Sequence, residues 1–109
     1  MYRRYRSFAE FWPFYLREHS KARTRALHYA GTSLVVAIAI FAALSGRWLW
    51  LLSIPLAGYG FAWVAHFAVE KNRPATFTYP VWSLAADFKM WWLWLTRRLE
   101  AELKKALSP

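Results

Sequence analysis

Two long apolar runs dominate the pattern of hydrophobic and polar positions along the chain. Residues 26–46 and residues 48–69 contain no Lys, Arg, Asp or Glu. At about 1.5 Å of rise per residue, a helix over either run is long enough to cross roughly 30 Å of hydrocarbon. The pattern therefore predicts membrane helices over residues 24–45 and 47–70. Because only a short polar break around Gly46 separates the two helices, we expect an antiparallel hairpin.

A soluble helical hairpin with a fully buried core is the alternative interpretation of the two runs. Burying such helices requires other parts of the chain to cover them. The protein has 109 residues, and too few of them lie outside the runs for that purpose. We therefore favour a membrane protein, in which lipid covers the apolar surface and a second copy of the chain could pack against it as a homo-oligomer.

Two flanking segments mix apolar and charged positions. Residues 7–19 combine aromatic and charged side chains, with Pro13 in the second helical turn, and residues 79–107 begin apolar and become rich in Glu and Lys. Asp87 lies within the apolar part of the second segment, so a third span is not expected. Both segments are typical of amphipathic helices at a membrane surface. The predicted fold is an all-α, small integral membrane protein with a single domain over residues 1–109, a two-span antiparallel hairpin flanked by amphipathic interfacial helices.

The distribution of charge predicts the orientation of this hairpin. The chain has 15 Lys and Arg residues, 6 Asp and Glu residues and a net charge of +9. Only Arg47 among the basic residues lies at the turn, and the positive-inside rule therefore places both termini in the cytoplasm. No nucleic-acid-binding motif accompanies the charge, so membrane lipid rather than nucleic acid is the expected anionic partner.

Composition narrows the chemistry that the chain can perform. It contains no cysteine, which excludes disulfides, thiolate zinc sites and a cysteine nucleophile. It also lacks a G-x-S-x-G elbow, a P-loop and a dinucleotide-binding glycine pattern, so a serine hydrolase, a nucleotide hydrolase and a nicotinamide enzyme have no support. Any reaction would depend on oxygen groups and on the three histidines of the chain.

The spacing of the histidines predicts that they can meet. His28 and His66 lie at similar distances from the turn, so at about 1.5 Å per residue their imidazoles differ in depth by about 3 Å. His19 lies nine residues before His28, which is half a revolution away on one unbroken helix. A break between them, with Ser20 or Thr24 as N-cap, would allow all three rings to converge at the cytoplasmic end.

Three neutral imidazoles suit Fe, Zn, Cu or Ni and leave further coordination positions open. Glu70 lies one helical turn after His66 and could be another ligand, a residue that orients a ligand, or a general base. Asn72 and Asp87 are weaker candidates, Asp87 as a carboxylate that orients a histidine N–H. The alternative is three interfacial histidines without mutual contact.

Two segments carry the histidines: YLREHSKARTRALHYAGT, residues 15–32, and WVAHFAVEKNRPATFTYP, residues 63–80. Their specific marks are His19, the Arg25-x-x-His28-x-x-Gly31 spacing, the His66-x-x-x-Glu70 pair and Pro74-Ala75. With these marks, residues 8–95 resemble the short bacterial branch of the Mpo-like family.

The resemblance implies a membrane-embedded, Fe(II)-dependent dioxygenase that shortens a 2-hydroxy fatty acid by one carbon in an alpha-oxidation step. Molecular oxygen would be the second substrate, and His19, His28 and His66 would bind the iron. A protein of this branch is expected in the bacterial inner membrane. A site at headgroup level would let the acyl chain remain in the hydrocarbon while its carboxylate and 2-hydroxyl reach the metal.

Three basic residues lie close to the level of the histidines. Arg25, Lys71 and Arg73 could clamp the carboxylate of a substrate, with arginine better suited to a bidentate contact. Each of them also fits a simple anchoring role at the cytoplasmic surface. The sequence leaves both roles open.

Two functions of other classes remain as alternatives. A non-catalytic hairpin that binds membrane lipid would have merely interfacial histidines. A zinc-dependent lipid hydrolase would use zinc in place of iron, with Glu70 as the catalytic base. Metal content and the requirement for oxygen distinguish the three hypotheses.

Overall fold

The computed structural model describes residues 4–108, and these residues form helices and connecting turns without a β-strand. Among these residues there are five α-helices, which are α1 (Phe8–Arg17), α2 (Ala22–Ser45), α3 (Ile54–Val64), α4 (Pro80–Leu95) and α5 (Leu99–Leu107). Shorter helical segments lie between α2 and α4, and turns join α1 to α2 and α4 to α5. Two 3-10 segments cover Trp48–Ser53 and Ala75–Phe77, and one π-helical segment, here called the π segment, covers Ala65–Glu70.

Two helical stretches have the length and composition to cross a membrane. They are Ala22–Ser45 and Trp48–Glu70, with mean hydropathies of 1.9 and 1.4 over their most apolar parts. Only 22% and 11% of those parts is buried inside the protein, whereas the core helix of a soluble protein is mostly buried. Within the described residues, neither stretch therefore has the mostly buried surface that the soluble alternative predicts.

The two long helical stretches pack side by side. Gly46 ends α2 in the left-handed conformation, with φ of 72°, which costs glycine little because it has no Cβ. A Cβ on Gly31 would lie 2.9 Å from the Cβ of Phe61 and 3.3 Å from the carbonyl oxygen of Ala57. This close approach needs a residue without a side chain, as in other helix pairs packed through small residues.

The second apolar stretch is less regular than the predicted helix over residues 47–70. It begins with a 3-10 segment, and α3 starts only at Ile54, where Pro55 occupies the first turn. Proline is favoured there because its missing N–H would have no partner inside the helix. The stretch then widens into the π segment, which carries His66.

The predicted single helix over residues 79–107 is wrong in one respect, because the structure divides it into α4 and α5. Arg97 has a left-handed φ of 59°, and the N–H of Arg98 donates to the carbonyl of Leu93 at 2.8 Å. This turn folds α5 back against α1. It buries three apolar residues of α5, namely Leu99, Leu103 and Ala106, which a continuous helix would carry away from the protein.

The buried core lies among α1, α4 and α5 rather than between the two long stretches. Its largest members include Phe11, Tyr15, Leu16 and Met90, each at most 1% exposed. The indole N–H of Trp12 donates to Glu102 at 2.9 Å and connects α1 to α5. The flanking helices therefore form a compact cap that fixes the end of α1, where His19 follows.

Candidate metal centre

Three histidines from three different elements meet at one point. His19 follows α1, His28 lies on α2 and His66 lies on the π segment. Their exposed fractions are 1%, 5% and 2%, and their ligand nitrogens all lie within 4.8 Å of one another. The predicted convergence of the three rings is therefore confirmed. The described residues also provide the break between His19 and His28 that this convergence requires.

The break is stabilised by Arg25, one of the predicted substrate-binding residues. Its Nη1 donates to the backbone carbonyls of His19 and Ser20, both at 2.8 Å. Because a cationic donor satisfies both carbonyls, the chain can leave α1 and enter α2 without unpaired backbone groups. Arg25 therefore has a structural role next to the histidines.

The prediction that Ser20 or Thr24 caps α2 is wrong. The structure has Lys21 at the N-cap position, without a hydrogen bond from its side chain. The capping group is instead the carboxylate of Glu70, which accepts from the backbone N–H of Lys21 at 2.6 Å, from Thr24 Oγ1 at 2.7 Å and from Ser20 Oγ at 3.1 Å. A carboxylate at a helix N-terminus satisfies free N–H groups and interacts favourably with the helix dipole.

The position of Glu70 favours a capping role over the predicted catalytic role, which stays a prediction. We expect Glu70→Ala to lower the free energy of unfolding by about 1–2 kcal/mol, the usual size of a lost cap, while metal content per folded chain stays unchanged. Thermal unfolding and metal analysis would measure both effects. Glu10→Ala is a matched control, because Glu10 also accepts a backbone N–H at a helix start. A fall in turnover of about 100-fold or more without a change in stability would instead indicate a general base.

Each histidine has a partner at its outer ring nitrogen. His19 Nδ1 lies 2.7 Å from the carbonyl oxygen of Tyr15. His28 Nδ1 lies 3.5 Å from a carboxylate oxygen of Asp87. The backbone carbonyl can only accept, so the proton of His19 is held on Nδ1 and its lone pair is left on Nε2. The carboxylate of Asp87 favours the same tautomer of His28.

His66 is held in the same way by Asn72. Its Nδ1 lies 2.6 Å from Asn72 Oδ1, and Asn72 Nδ2 donates to the carbonyl of Glu18 at 3.1 Å. The second bond fixes which end of the amide faces the ring, so His66 also carries its proton on Nδ1. The π segment makes this contact possible, because the turn after it brings the N–H of Asn72 to within 2.9 Å of the carbonyl of His66.

The electrostatics of the cluster favour a neutral ring at His19. Burial, followed by the proximity of His28 and His66, lowers the pKa of His19 well below its ordinary value of 6.5. His19 is therefore uncharged at neutral pH, which is the form that binds a metal. Burial and the neighbouring Asp87 raise the pKa of Tyr15, so its phenol stays protonated and donates a hydrogen bond to Asp87.

The geometry of the donor atoms suits a metal ion. The Nε2 atoms of His19 and His28 are 3.0 Å apart, and two ligands at right angles around a metal with bonds of about 2.1 Å are separated by about 3 Å. The ring centre of His66 lies 4.5 Å from that of His19 and 5.3 Å from that of His28. Three nitrogen donors would leave positions on the metal for other ligands.

A small cavity of about 20 Å³ adjoins the three rings. This volume is enough for one water-sized molecule. Its walls include Tyr59, Trp63, Thr76 and Ser83. The cavity could admit a small ligand to the histidines while the surrounding protein excludes bulk water.

The predicted substrate-binding residues do not line this cavity. Arg25 is engaged with backbone carbonyls, Lys71 is exposed at the end of the π segment, and Arg73 lies over the ring of Phe77 at 4.9 Å. Their contact with a substrate stays a prediction.

Sequence reasoning missed two residues of the site, Tyr15 and Ser83. Tyr15 holds His19 through its carbonyl and Asp87 through its phenol. Ser83 is 4% exposed, and within the described part of the chain its hydroxyl has no hydrogen-bond partner. Both lie four residues before a site residue on a helix, and this spacing is a signal that could have identified them.

Comparison with known proteins gives one match. The family model described as Mpo1-like, 2-hydroxy-palmitic acid dioxygenase Mpo1-like, matches residues 5–99. Neither a curated protein nor a solved structure matches the chain. The matched region contains all three histidines and the residues that hold their outer nitrogens.

Proposed function

Because the chain belongs to the Mpo1-like family, we propose that it is a membrane-embedded dioxygenase that oxidises 2-hydroxy fatty acids with iron bound by its three histidines. The observation that carries this proposal is the orientation of the rings, whose outer nitrogens already face acceptors. Three lone pairs directed at one another repel unless a cation lies among them. A metal ion fits better than a shared proton, because burial keeps His19 neutral.

The identity of the metal follows from the proposed reaction. Zinc is also suited to three histidines but has no redox chemistry, whereas an oxygenase needs a metal that reacts with oxygen. Fe(II) bound by uncharged imidazoles keeps its positive charge, and this charge favours an anionic 2-hydroxy acid as a further ligand. The family description, which names a 2-hydroxy-palmitic acid dioxygenase, supports an oxygen-dependent reaction and the same class of substrate.

The proposed reaction is balanced without an external reductant. The bond between C1 and C2 of the 2-hydroxy acid breaks, C1 leaves as carbon dioxide, and C2 becomes the carboxyl carbon of a fatty acid one carbon shorter. The substrate loses four electrons, which reduce one molecule of oxygen, and water takes up the remaining oxygen atom. Bound Fe(II) would supply the Lewis acid and the redox centre for this oxidation.

The residues of the chain bind and orient the reactants. Tyr15, Asp87 and Asn72 fix the imidazoles, and residues with hydrogen bonds to a ligand's outer nitrogen also raise its basicity. The hydroxyl of Ser83 is free to contact a polar group of the substrate. We propose that Lys71 and Arg73 attract the carboxylate toward the site from outside the cavity, as a steering charge rather than a direct contact.

We also propose that Ala22–Ser45 and Trp48–Glu70 form an antiparallel two-span hairpin in the bacterial inner membrane, with both termini in the cytoplasm. The length and apolar composition of these stretches and the position of Arg47 as the only basic residue at the turn support this topology. Exposed apolar side chains at the turn, including Leu49 and Leu52, would then lie in lipid or near its far surface.

The test of this function is turnover by protein of known metal content. Protein prepared without a polyhistidine tag would be loaded anaerobically with Fe(II), analysed by mass spectrometry for metal, and then given 2-hydroxy-palmitic acid and oxygen. We expect about one iron per chain and equal amounts of oxygen consumed and shortened fatty acid formed. Zinc-loaded protein should form no product.

Other results would favour another function. Turnover of a lipid ester by zinc-loaded protein without oxygen would support a hydrolase. Absence of stoichiometric metal after anaerobic loading would overturn the oxygenase and leave a hairpin that binds lipid. Iron binding without oxidation of any 2-hydroxy acid would retain the metal centre and exclude the proposed substrate class.

A further inference from the structure

A second and larger cavity lies against the metal centre. Its volume is about 360 Å³, within the range typical of sites for small organic ligands. We call this cavity the apolar groove. Its walls come from α2, α3 and α4 and include Val35, Ile54, Gly58, Leu84 and Phe88. The groove also contains His28, Tyr59 and Asp87, which line the small cavity beside the histidines.

The shared residues make the two cavities neighbours. His28 is a member of the metal centre, and Asp87 faces its outer nitrogen. On α2 the groove extends from His28 to Val35, about 10 Å along the helix at its normal rise, in the direction of Gly46. It therefore leads from the histidines into the apolar part of the helix pair.

The lining of the groove suits a hydrocarbon chain. Leu84 and Phe88 are exposed, so the groove opens sideways between helices toward the surface that lipid would cover. At the histidine end the two cavities offer His28, Asp87 and the buried hydroxyl of Ser83, which has no partner within the described residues. Thr32, one turn further along α2, is followed by the apolar wall at Val35. A ligand with one polar end and one long apolar end matches this distribution of polarity.

We infer that the apolar groove holds the acyl chain of the substrate and that Gly58 provides the space for it. The inference rests on the proposed function for the identity of the polar end. A Cβ on Gly58 would have only Val35 Cγ2 nearby, at 3.5 Å, so a larger side chain there enters the groove without a backbone clash. The groove thereby sets the preference for chain length.

Gly58→Leu and Gly60→Leu form a matched pair for testing this role. A Cβ on Gly60 meets nothing within 4 Å and Gly60 does not line the groove, yet both glycines lie on α3. The change in helix propensity is therefore the same for the two substitutions. Only Gly58→Leu fills the groove.

The measurement is the affinity of Fe(II)-loaded protein for saturated 2-hydroxy acids of increasing length. Binding would be measured without oxygen, so that no turnover occurs, in phosphatidylcholine nanodiscs. Each methylene buried in the groove should strengthen binding up to about fourfold. If leucine displaces about three methylenes, Gly58→Leu should bind long-chain acids roughly 60-fold more weakly than Gly60→Leu, with little difference for the shortest acids. Each acid partitions into the bilayer to the same extent with either variant, so partition does not affect the ratio of the two affinities.

The outcomes separate this inference from the proposed function. Equal dependence on chain length in the two glycine variants would overturn the groove as the acyl site, and bulk lipid would then be its occupant. A change in oligomeric state confined to Gly58→Leu, seen by light scattering, would overturn it in favour of a second copy of the chain. A difference between the variants together with no oxidation of any 2-hydroxy acid would retain the groove and overturn the dioxygenase.

A second variant keeps the inference testable if Gly58→Leu does not fold. Val35→Ala removes two methyl groups from the opposite wall and widens the groove. We expect the affinity of this variant to keep rising at chain lengths where that of the wild type has levelled off. An unchanged chain-length profile in folded Val35→Ala would also contradict the inference.

Discussion

Replacing His19, His28 or His66 with alanine, one at a time, is expected to reduce bound iron from about one ion per chain to less than about one-tenth. Each ring supplies one of three nitrogen donors, and the described residues offer no other cluster that could hold a metal. Two imidazoles alone bind a metal ion only weakly. Turnover of the 2-hydroxy acid should fall with the metal, by at least about 100-fold.

The chain offers a matched control for these variants. Tyr29→Ala removes a ring from the position next to His28, but Tyr29 stacks on Trp94 at a centroid distance of 4.2 Å and does not belong to the cluster. Metal content would be measured on the monodisperse, folded fraction of each variant. Iron retained by any one folded histidine variant would contradict a site that needs all three rings.

Asp87→Asn is expected to weaken metal binding by about 10- to 100-fold, the usual effect of removing a residue that holds a ligand's outer nitrogen. Asp87 lies 3.5 Å from His28 Nδ1 and accepts the phenolic hydrogen of Tyr15. A neutral amide keeps the size of the side chain but loses the negative charge beside His28. The amide oxygen can still accept a hydrogen bond, as that of Asn72 does from His66, so the expected loss comes from the missing charge.

A titration of metal-free protein with Fe(II) under anaerobic conditions would measure this effect. The thermal stability of metal-free Asp87→Asn should stay close to that of the wild type, and excess metal should restore turnover. Glu100→Gln is the control, because it also replaces a carboxylate by an amide of the same size, but at an exposed position on α5. An unchanged affinity for Fe(II) would show that Asp87 serves the fold and not the metal centre.

The sequence predicts the parts of the site that depend on local regularity. The distances of His28 and His66 from the turn predict their common depth because helical rise is constant. The nine-residue spacing between His19 and His28 predicts a break because helical rotation is constant. These rules describe single helices, and they locate the three histidines correctly.

Other parts depend on contacts between distant segments and could not be predicted in this way. The left-handed turn at Arg97 forms because α5 gains a buried face against α1, and the π segment forms where His66 must reach Asn72. Glu70 follows His66 at helical spacing, but its three donors come from the start of α2. No local pattern identifies such partners.

During translation Asp87 is added after all three histidines. Its partner Tyr15 precedes it by 72 positions, and at about 5–20 residues per second the ribosome needs roughly 4–14 s to add the residues between them. Both apolar stretches are synthesised during that interval. The nascent chain therefore contains its three histidines before it contains the carboxylate that faces one of them.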